Sequence, residues 1–212
     1  MTILALEFSS GQRSVAIAVN GSVLHEAIET GGRGVAAFGM IERVLVDAKL
    51  EREQVQGIVV GLGPGSYTGI RAAIALAEGW RQARDVSVAG VSSIEAIASV
   101  AQSKGIFGPV TIVVDAQREE FYCANYDITQ SSSTETVPLR IVSRAETMSL
   151  SQGRAIIGPE APKFSSGRLI FPGAAALAKL AGNRKDSTSM KQLEPIYLRE
   201  TAFVKAKPPG FL

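Results

Sequence analysis

The chain has 212 residues, of which 46% are hydrophobic and 20% are charged, a composition typical of a folded globular protein. At roughly 150 residues per domain, this length predicts one large domain or two small lobes. The 22 Lys and Arg residues nearly balance the 20 Asp and Glu residues, and the net charge of +2 argues against a protein that holds nucleic acid alone through a strong basic field. A single cysteine, Cys123, and a single histidine, His25, exclude an internal disulfide and a Cys/His zinc cage.

The N-terminal residues are apolar only as far as Leu6, and the charge of Glu7 ends a run too short for a signal peptide. No stretch approaches the ~20 apolar residues that a membrane-spanning helix requires. We therefore expect a cytoplasmic protein that makes no membrane contact.

The first half of the chain predicts three antiparallel strands followed by alternating helices and strands. Asn20-Gly21 is a strong signal for a two-residue hairpin turn. Residues 31–34 form a glycine-rich connector, and Ser92, Ser93 and Glu95 carry the capping pattern that opens a helix. In chain order we predict strands at 2–8, 13–19 and 22–29, a helix at 35–50, a strand at 56–60, a glycine-rich turn at 61–69, a helix to 84, a strand at 86–91 and a helix from 92.

The second half begins at a boundary marked by Gly105, Gly108 and Pro109. Its predicted elements are a hairpin of strands at 110–114 and 121–126, a loop at 129–136, a strand at 154–157 and an alanine-rich helix at 172–180. The chain is therefore predicted to be an α/β protein with two lobes, 1–104 and 105–212, built on mixed sheets flanked by helices. The mildly basic stretch at 179–207 leaves two questions open, namely whether it packs back on the first lobe and whether it touches tRNA.

The glycine-rich turn is the segment most suggestive of chemistry. It leaves a strand and enters a helix, where glycines permit close approach to a ligand and free N–H groups attract anions. It contains Gly63, Gly65 and Ser66, but neither the lysine of a phosphate-binding Walker loop nor the glycine spacing of a dinucleotide fold. The alternative to an anion cradle is a tight turn that Ser66 or Thr68 caps.

Two acidic residues at strand ends are candidate site residues. Asp115 follows a buried strand, a common place for a catalytic or magnesium-directing carboxylate, but also for an Asp that satisfies its own turn. Glu7 ends the first strand beside Ser9 and Ser10, and burial would be costly unless its carboxylate were paired. It therefore lies either in a cleft or at the rim of a sheet.

The second long helix of the first half carries apolar residues on more surface than its own sheet needs to cover. One of its faces contains Ile70, Ala73 and Ala77, while a second face is built from small residues around Ala75 and Gly79. A glycine inside a helix costs about 1 kcal/mol, which favours close approach of another helix. Either the first helix and the second lobe cover this face, or a partner does. On this helix the small-residue face comprises Ala72, Ala75, Leu76, Gly79 and Ala83.

Several segments together resemble the YeaZ-like family of bacterial TsaB proteins. The most specific is GPGSYTGIR at 63–71, and the resemblance extends over nearly the whole chain in the family's order. The other matching segments are ILALEFSS at 3–10, VSSIEA at 91–96, DAQREEFY at 115–122 and PIYLR at 195–199.

This resemblance implies an actin/sugar-kinase-like (ribonuclease H-like) fold and a non-catalytic subunit. Such a subunit pairs with the catalytic relative TsaD and the ATPase TsaE, which transfer threonylcarbamoyl from threonylcarbamoyl-AMP to the adenosine beside the anticodon of certain tRNAs. The first two helices would bind TsaD or a second copy of the chain, so tRNA contact would be indirect. The partner surface that this resemblance implies comprises Phe38, Ile41, Val44, Leu45, Ala72, Ala75, Leu76, Gly79 and Ala83. We expect ATP and metal to belong to the partner subunits, with none bound by this chain alone.

The chain departs from the family pattern in the nucleotide cleft. Glu7 replaces the usual Asp of the first phosphate turn, and Gly158-Pro159-Glu160 lacks the second glycine of active relatives. We therefore predict a degenerate cleft lined by Glu7, Ser9, Ser10, Gly63, Gly65, Ser66, Asp115 and Gly158.

Two enzymatic hypotheses compete with the subunit hypothesis. A nucleotide-dependent kinase or hydrolase would use Glu7, the 63–69 loop and Asp115. A peptidase is suggested only by the family's older glycoprotease label, and neither His25 nor Cys123 lies in a pattern that supplies a nucleophile and a base.

Overall fold

The chain forms two five-stranded mixed sheets with the same strand order. The computed structural model describes residues 1–31, 37–183 and 193–199. The first sheet, ordered β3-β2-β1-β4-β5, comprises β1 (Thr2–Glu7), β2 (Gln12–Val19), β3 (Ser22–Thr30), β4 (Gly57–Gly61) and β5 (Ser87–Val91). The second sheet, ordered β10-β9-β6-β7-β8, comprises β6 (Gly108–Asp115), β7 (Glu120–Ile128), β8 (Ser133–Ser143), β9 (Ala155–Gly158) and β10 (Arg168–Leu169).

In each sheet, the three strands that come first along the chain pair with one another in antiparallel fashion. The two strands that come later along the chain are added in parallel beside the first of these three. The second sheet therefore repeats the topology of the first. This repeat lies in the strand order and not in the sequence, which shows no repeated motif.

In the described part of the chain, five α-helices cover the sheets: α1 (Ala37–Asp47), α2 (Tyr67–Ala83), α3 (Ser93–Ser103), α4 (Arg144–Leu150) and α5 (Ala174–Asn183). Alternation along β1 sends Leu4 and Leu6 to the core beneath α1 and α2, and Ile3 and Ala5 to the opposite core beneath α5. Small residues on that second face allow the alanine-rich α5 to approach the sheet closely.

Two helices pack against the sheet of the other predicted lobe. The sheets do separate near the predicted boundary at residue 104, since β5 ends at Val91 and β6 begins at Gly108. However, α3 packs Ile94 and Ile97 into the core of the second sheet, while α5, which belongs to the second half of the chain, packs Leu177 against the first. The sequence halves are therefore not independent packing units.

Most predicted elements are present. Asn20 and Gly21 have φ angles of 50° and 82°, as a two-residue hairpin turn between antiparallel strands requires. Ser92 caps α3 by accepting a hydrogen bond from the Ile94 N–H at 3.2 Å. The strands at 110–114 and 121–126 pair as a hairpin.

The prediction of a loop over 129–136 is wrong for its second part, because residues from 133 onward form β8 and pair with β7. β8 is an edge strand whose polar residues face solvent, so its composition is typical of a loop. The sequence analysis also omitted α4, although Ser143 and Glu146 form a reciprocal capping box that marks its start.

Some predictions lie outside the described residues, which include neither 32–36, 184–192 nor 200–212. They are most of the 31–34 connector, the start of the helix predicted at 35, and most of the basic stretch. Within the described ranges, no helix is long and apolar enough to cross a membrane. The two related sheets with helices on their faces form the actin/sugar-kinase-like two-lobed fold that the resemblance implies.

Candidate functional site

The glycine-rich loop between β4 and α2 is held against the turn that follows β1. The Ser66 N–H donates to the Ser9 carbonyl at 2.7 Å. Gly65 has a φ of +147°, and a Cβ there would lie 2.1 Å from the same Ser9 oxygen. Only glycine allows this approach. The Ser66 hydroxyl accepts from the Gly69 N–H at 3.3 Å and so caps α2, as the capped-turn hypothesis predicts.

Glu7 is completely buried, and its carboxyl group is enclosed by backbone and hydroxyl donors. The Ser9 N–H donates to Oε1 at 2.7 Å, and the Ser93 hydroxyl donates to Oε2 at 2.8 Å. Ser93 in turn accepts from the Gly63 N–H at 3.1 Å, so the carboxyl group links β1, the glycine-rich loop and α3. A Cβ on Gly61 would lie 2.1 Å from Oε2, which explains why glycine occupies that position.

Burial raises the pKa of Glu7 above its ordinary value, although the hydrogen bonds from Ser9 and Ser93 partly offset this effect. Among the described residues, no cation lies within ion-pair distance of Glu7. The side chain is therefore placed to hold the loop together and is not presented to a solvent-filled cleft.

Asp115 satisfies the turn that follows β6. Its Oδ1 accepts from the Gln117 N–H at 3.0 Å, and its Oδ2 accepts from the Gln117 side-chain amide at 2.7 Å. The Asp115 N–H donates to Glu160 at 3.1 Å, which brings the end of β6 next to the segment containing Gly158. Gly158 has a φ of +130°, and a Cβ there would lie 2.3 Å from the Val113 carbonyl oxygen. This geometry matches the turn hypothesis for Asp115.

The predicted cleft residues thus fall into two groups. The first joins Glu7, Ser9, Gly63, Gly65 and Ser66, with Ser10 bonding locally to Gln12. The second joins Asp115 to the Gly158 segment. No hydrogen bond between described residues links the two groups directly.

Residues 193–199 connect the two lobes, a contact that sequence reasoning left open. Leu193 is buried in the core beneath α1 and α2, and the Ile196 N–H donates to the Leu62 carbonyl at 2.9 Å. Arg199 reaches the second lobe, where its guanidinium donates to the Ala116 carbonyl at 2.8 Å and to Glu120 at 2.6 Å. This described part of the C-terminal stretch therefore packs on both lobes.

The structure divides the predicted partner surface into buried and exposed residues. Ile41, Val44 and Leu45 lie in the core beneath α1, so these three side chains are not available to a partner and must be removed from the prediction. The prediction included these three residues because the helical periodicity of the sequence identifies one apolar face of α1 without showing whether that face points into the core. Phe38 remains, with 71% of its surface exposed, and the sequence analysis missed Val46, which is 67% exposed.

On α2, Ala72, Ala75, Gly79 and Ala83 are all exposed, while Leu76 is half-buried against the core. A Cβ on Gly79 would find no described atom within 4 Å outside the neighbouring backbone of its own helix, so nothing in the described chain requires glycine there. The small-residue face of α2 is thus free of cover from α1 and from the described parts of the second lobe.

The residues that a peptidase would need are not arranged for catalysis. Cys123 is buried, and burial raises the pKa of its thiol to about 11, so the thiol is protonated at neutral pH. His25 lies on the exposed strand β3, where Ile17 is its partner in the neighbouring strand.

A cavity of about 410 Å³ lies between β2, β3, α3 and α5. Glu26, Lys104 and Lys179 are among its lining residues, together with the apolar side chains of Ile28 and Phe171. It contains none of the predicted cleft residues.

Comparison with known proteins places the chain in a family. The family model for TsaD, the tRNA N6-adenosine threonylcarbamoyltransferase, matches residues 35–200. A Bacillus subtilis protein named tRNA threonylcarbamoyladenosine biosynthesis protein TsaB is 29% identical over 152 residues, which cover 71% of this chain and 66% of that protein. The Escherichia coli protein of the same name is 25% identical over an alignment of 228 positions that covers 98% and 99% of the two chains.

The solved structure of YeaZ from Pseudomonas aeruginosa superimposes on the model with a TM-score of 0.77 at 25% identity, covering 93% of this chain and 99% of that one. A second Pseudomonas aeruginosa structure, described as similar to peptidase YeaZ, has a TM-score of 0.78 at 24% identity, with 93% and 99% coverage, and supports the fold. The chain therefore belongs to the TsaD family, and its curated and structural matches support the predicted resemblance to the TsaB (YeaZ-like) proteins.

Proposed function

We propose that this chain takes part in the biosynthesis of threonylcarbamoyladenosine in tRNA as a non-catalytic subunit that binds TsaD. Its relatives carry the name of that biosynthesis, and the two alignments cover 71% and 98% of the chain. In this proposal TsaD transfers the threonylcarbamoyl group from threonylcarbamoyl-AMP, and TsaE joins the assembly through TsaD. The reaction would take place in the cytoplasm, where tRNA is modified.

The exposed small-residue face of α2 is the observation that carries the proposal. Ala72, Ala75, Gly79 and Ala83 leave the helix backbone open to solvent, and Gly79 lowers helix stability without serving any contact within the described chain. Phe38 and Val46 add exposed apolar surface on α1, which packs on the same face of the sheet as α2. Such a surface suits a second pair of helices whose backbones approach closely.

The candidate acid and nucleophile positions support the non-catalytic part of the proposal. The Glu7 carboxyl group is enclosed, Asp115 is engaged by its own turn, and the Cys123 thiol is buried. General acid–base or nucleophilic catalysis needs groups within reach of a substrate. We therefore assign ATP and metal binding to the partner subunits.

The test is replacement of Ala75 by Arg. A long charged side chain in the middle of the α2 face should abolish co-purification with TsaD from the same organism, because the helices could no longer approach. The matched control is Ala145→Arg, an exposed alanine on α4 in the second lobe, which should leave co-purification intact. Circular dichroism would establish that both variants are folded.

Retention of TsaD by a folded Ala75→Arg variant would contradict the proposal. A second copy of the chain is the competing occupant of this face. Sedimentation of the isolated chain resolves that case: loss of self-association in Ala75→Arg with unchanged TsaD binding would assign the face to a homodimer.

A further inference from the structure

Tyr67, Arg71 and Tyr197 form an exposed cluster beside the glycine-rich loop. The two tyrosine rings stack with centroids 5.6 Å apart and an interplanar angle of 27°. The Arg71 guanidinium carbon lies 4.1 Å from the Tyr67 ring centroid, and Arg71 Nε donates to the Tyr197 hydroxyl at 3.2 Å. Tyr67 is 53% exposed and Tyr197 is 43% exposed, so both rings keep open surface.

The cluster carries the positive charge of the Arg71 guanidinium. Among the described residues, no carboxylate lies within ion-pair distance of Arg71. The cluster also sits on the first turns of α2, where the helix dipole adds positive potential. An anionic partner is therefore favoured at this place.

The aromatic surface is held in position before any partner arrives. The Ile196 N–H is bonded to Leu62 in the glycine-rich loop, and Arg199 is bonded to Ala116 and Glu120 in the second lobe. Tyr197 lies between these two attachments. Its ring therefore meets a ligand without much further loss of conformational entropy.

We infer that this cluster binds an unpaired base of single-stranded RNA, which stacks on the tyrosine rings while Arg71 contacts the adjacent phosphate. Exposed aromatic rings combined with a guanidinium are the usual means of holding unstacked bases. A protein surface is the competing occupant, since Tyr and Arg are also enriched at protein interfaces, and the comparison of RNA affinity with TsaD co-purification below distinguishes the two. The inference rests on the proposed function for the identity of the RNA, which would be the tRNA that the complex modifies. Contact with this chain would then be direct.

The test compares two aromatic substitutions in the assembled complex with TsaD. Tyr197→Leu should weaken binding of an unmodified anticodon stem-loop transcript about tenfold, in the range expected for loss of one stacked base. Phe107→Leu is the matched control, because Phe107 is 49% exposed in the connection between α3 and β6 and lies outside the cluster. Fluorescence anisotropy with labelled RNA measures both.

A third variant separates stacking from folding. Tyr197→Phe keeps the ring and loses the hydroxyl that Arg71 contacts, so it should retain most of the RNA affinity. A fully base-paired RNA of similar length should bind the normal and Tyr197→Leu complexes equally, because it offers no unstacked base.

Equal RNA affinities for Tyr197→Leu and Phe107→Leu would overturn the inference. Weaker co-purification of TsaD with Tyr197→Leu at unchanged RNA affinity would also overturn it, since the cluster would then be a protein contact. Displacement of the RNA by AMP, at AMP concentrations near that of the complex, would overturn it as well. These results are separable from failure of the proposed function. If Ala75→Arg retains TsaD, the docking proposal fails while the RNA comparison still decides the role of Tyr197.

Discussion

At the scale of single residues, Glu7 occupies the position of the family's phosphate-turn acid, but its carboxyl group has a structural role. The resemblance places it in a phosphate turn, where an acid would face a nucleotide. In the structure its two oxygens accept hydrogen bonds from Ser9 and Ser93, and the space beside it exists only because residue 61 is glycine. The carboxyl group therefore stabilises a junction of three elements at the cost of its own desolvation.

Replacing Glu7 with Gln should increase stability at alkaline pH. The pKa of Glu7 is raised above 4.5 in the folded state, so the folded state holds a proton that the unfolded state releases. Its stabilising contribution is complete below pH 4.5 and is lost as the pH rises through the raised folded value. Glutamine cannot ionise, its carbonyl oxygen can accept from the Ser9 N–H, and its amide can donate to the Ser93 hydroxyl oxygen, so its advantage over Glu7 should grow with pH.

Urea denaturation at about pH 4 and about pH 8 measures this difference, which should be larger at the higher pH. Glu42→Gln is the control, because Glu42 is exposed on α1, and it should show no comparable gain. An advantage for Glu7→Gln that is the same at both pH values would contradict the burial argument.

At the scale of secondary-structure elements, α2 contains two glycines with opposite surroundings. A Cβ on Gly69 would lie 2.0 Å from the Phe8 carbonyl oxygen, so this glycine lets the first turn of the helix touch the end of β1. A Cβ on Gly79 would meet nothing within 4 Å. One helix therefore uses glycine for an internal contact at its start and leaves another exposed ten residues later.

These surroundings predict opposite effects of alanine. Gly79→Ala should stabilise the isolated chain by up to about 1 kcal/mol, because alanine is the better helix former and has room. Gly69→Ala should destabilise it by at least about 2 kcal/mol, because a backbone oxygen cannot move aside like a flexible side chain. Thermal unfolding of the two variants side by side checks the sign, and a stabilising Gly69→Ala would show that the junction with β1 is looser than described.

At the scale of the whole molecule, the chain crosses between its two sheets more than once. α3 contributes to the second core, α5 returns to the first, and residues 193–199 contact both lobes. These exchanges join two topologically similar sheets into one structure. They also place Tyr197 on α2, close to the proposed docking face.

The packing of the 193–199 segment predicts a contrast between its two leucines. Leu193→Ala should cost about 2–3 kcal/mol of unfolding free energy, because Leu193 is buried in the core beneath α1 and α2. Leu198→Ala should change stability by less than about 0.5 kcal/mol, because Leu198 is exposed. Equal, small effects in denaturant titrations would mean that the segment does not pack on the first lobe in solution.

Local patterns sufficed for features that depend on neighbouring residues. The Asn20-Gly21 hairpin, the Ser66 and Ser92 caps and the strand-to-helix turn at 61–69 could all be predicted, because turn and cap chemistry acts over a few positions along the chain. The α4 capping box was equally readable and was overlooked. The family resemblance supplied the fold, and the repeated sheet topology agrees with it.

Contacts between distant residues could not be obtained in this way. Helical periodicity grouped Ile41, Val44 and Leu45 on one face, but only the packed sheet shows that this face points inward. The enclosure of Glu7 by Ser93 and the stacking of Tyr197 on Tyr67 join segments that are far apart in the chain. Periodicity describes the surface of one element at a time, whereas burial depends on which elements meet, and that depends on the shape and volume of the assembled core.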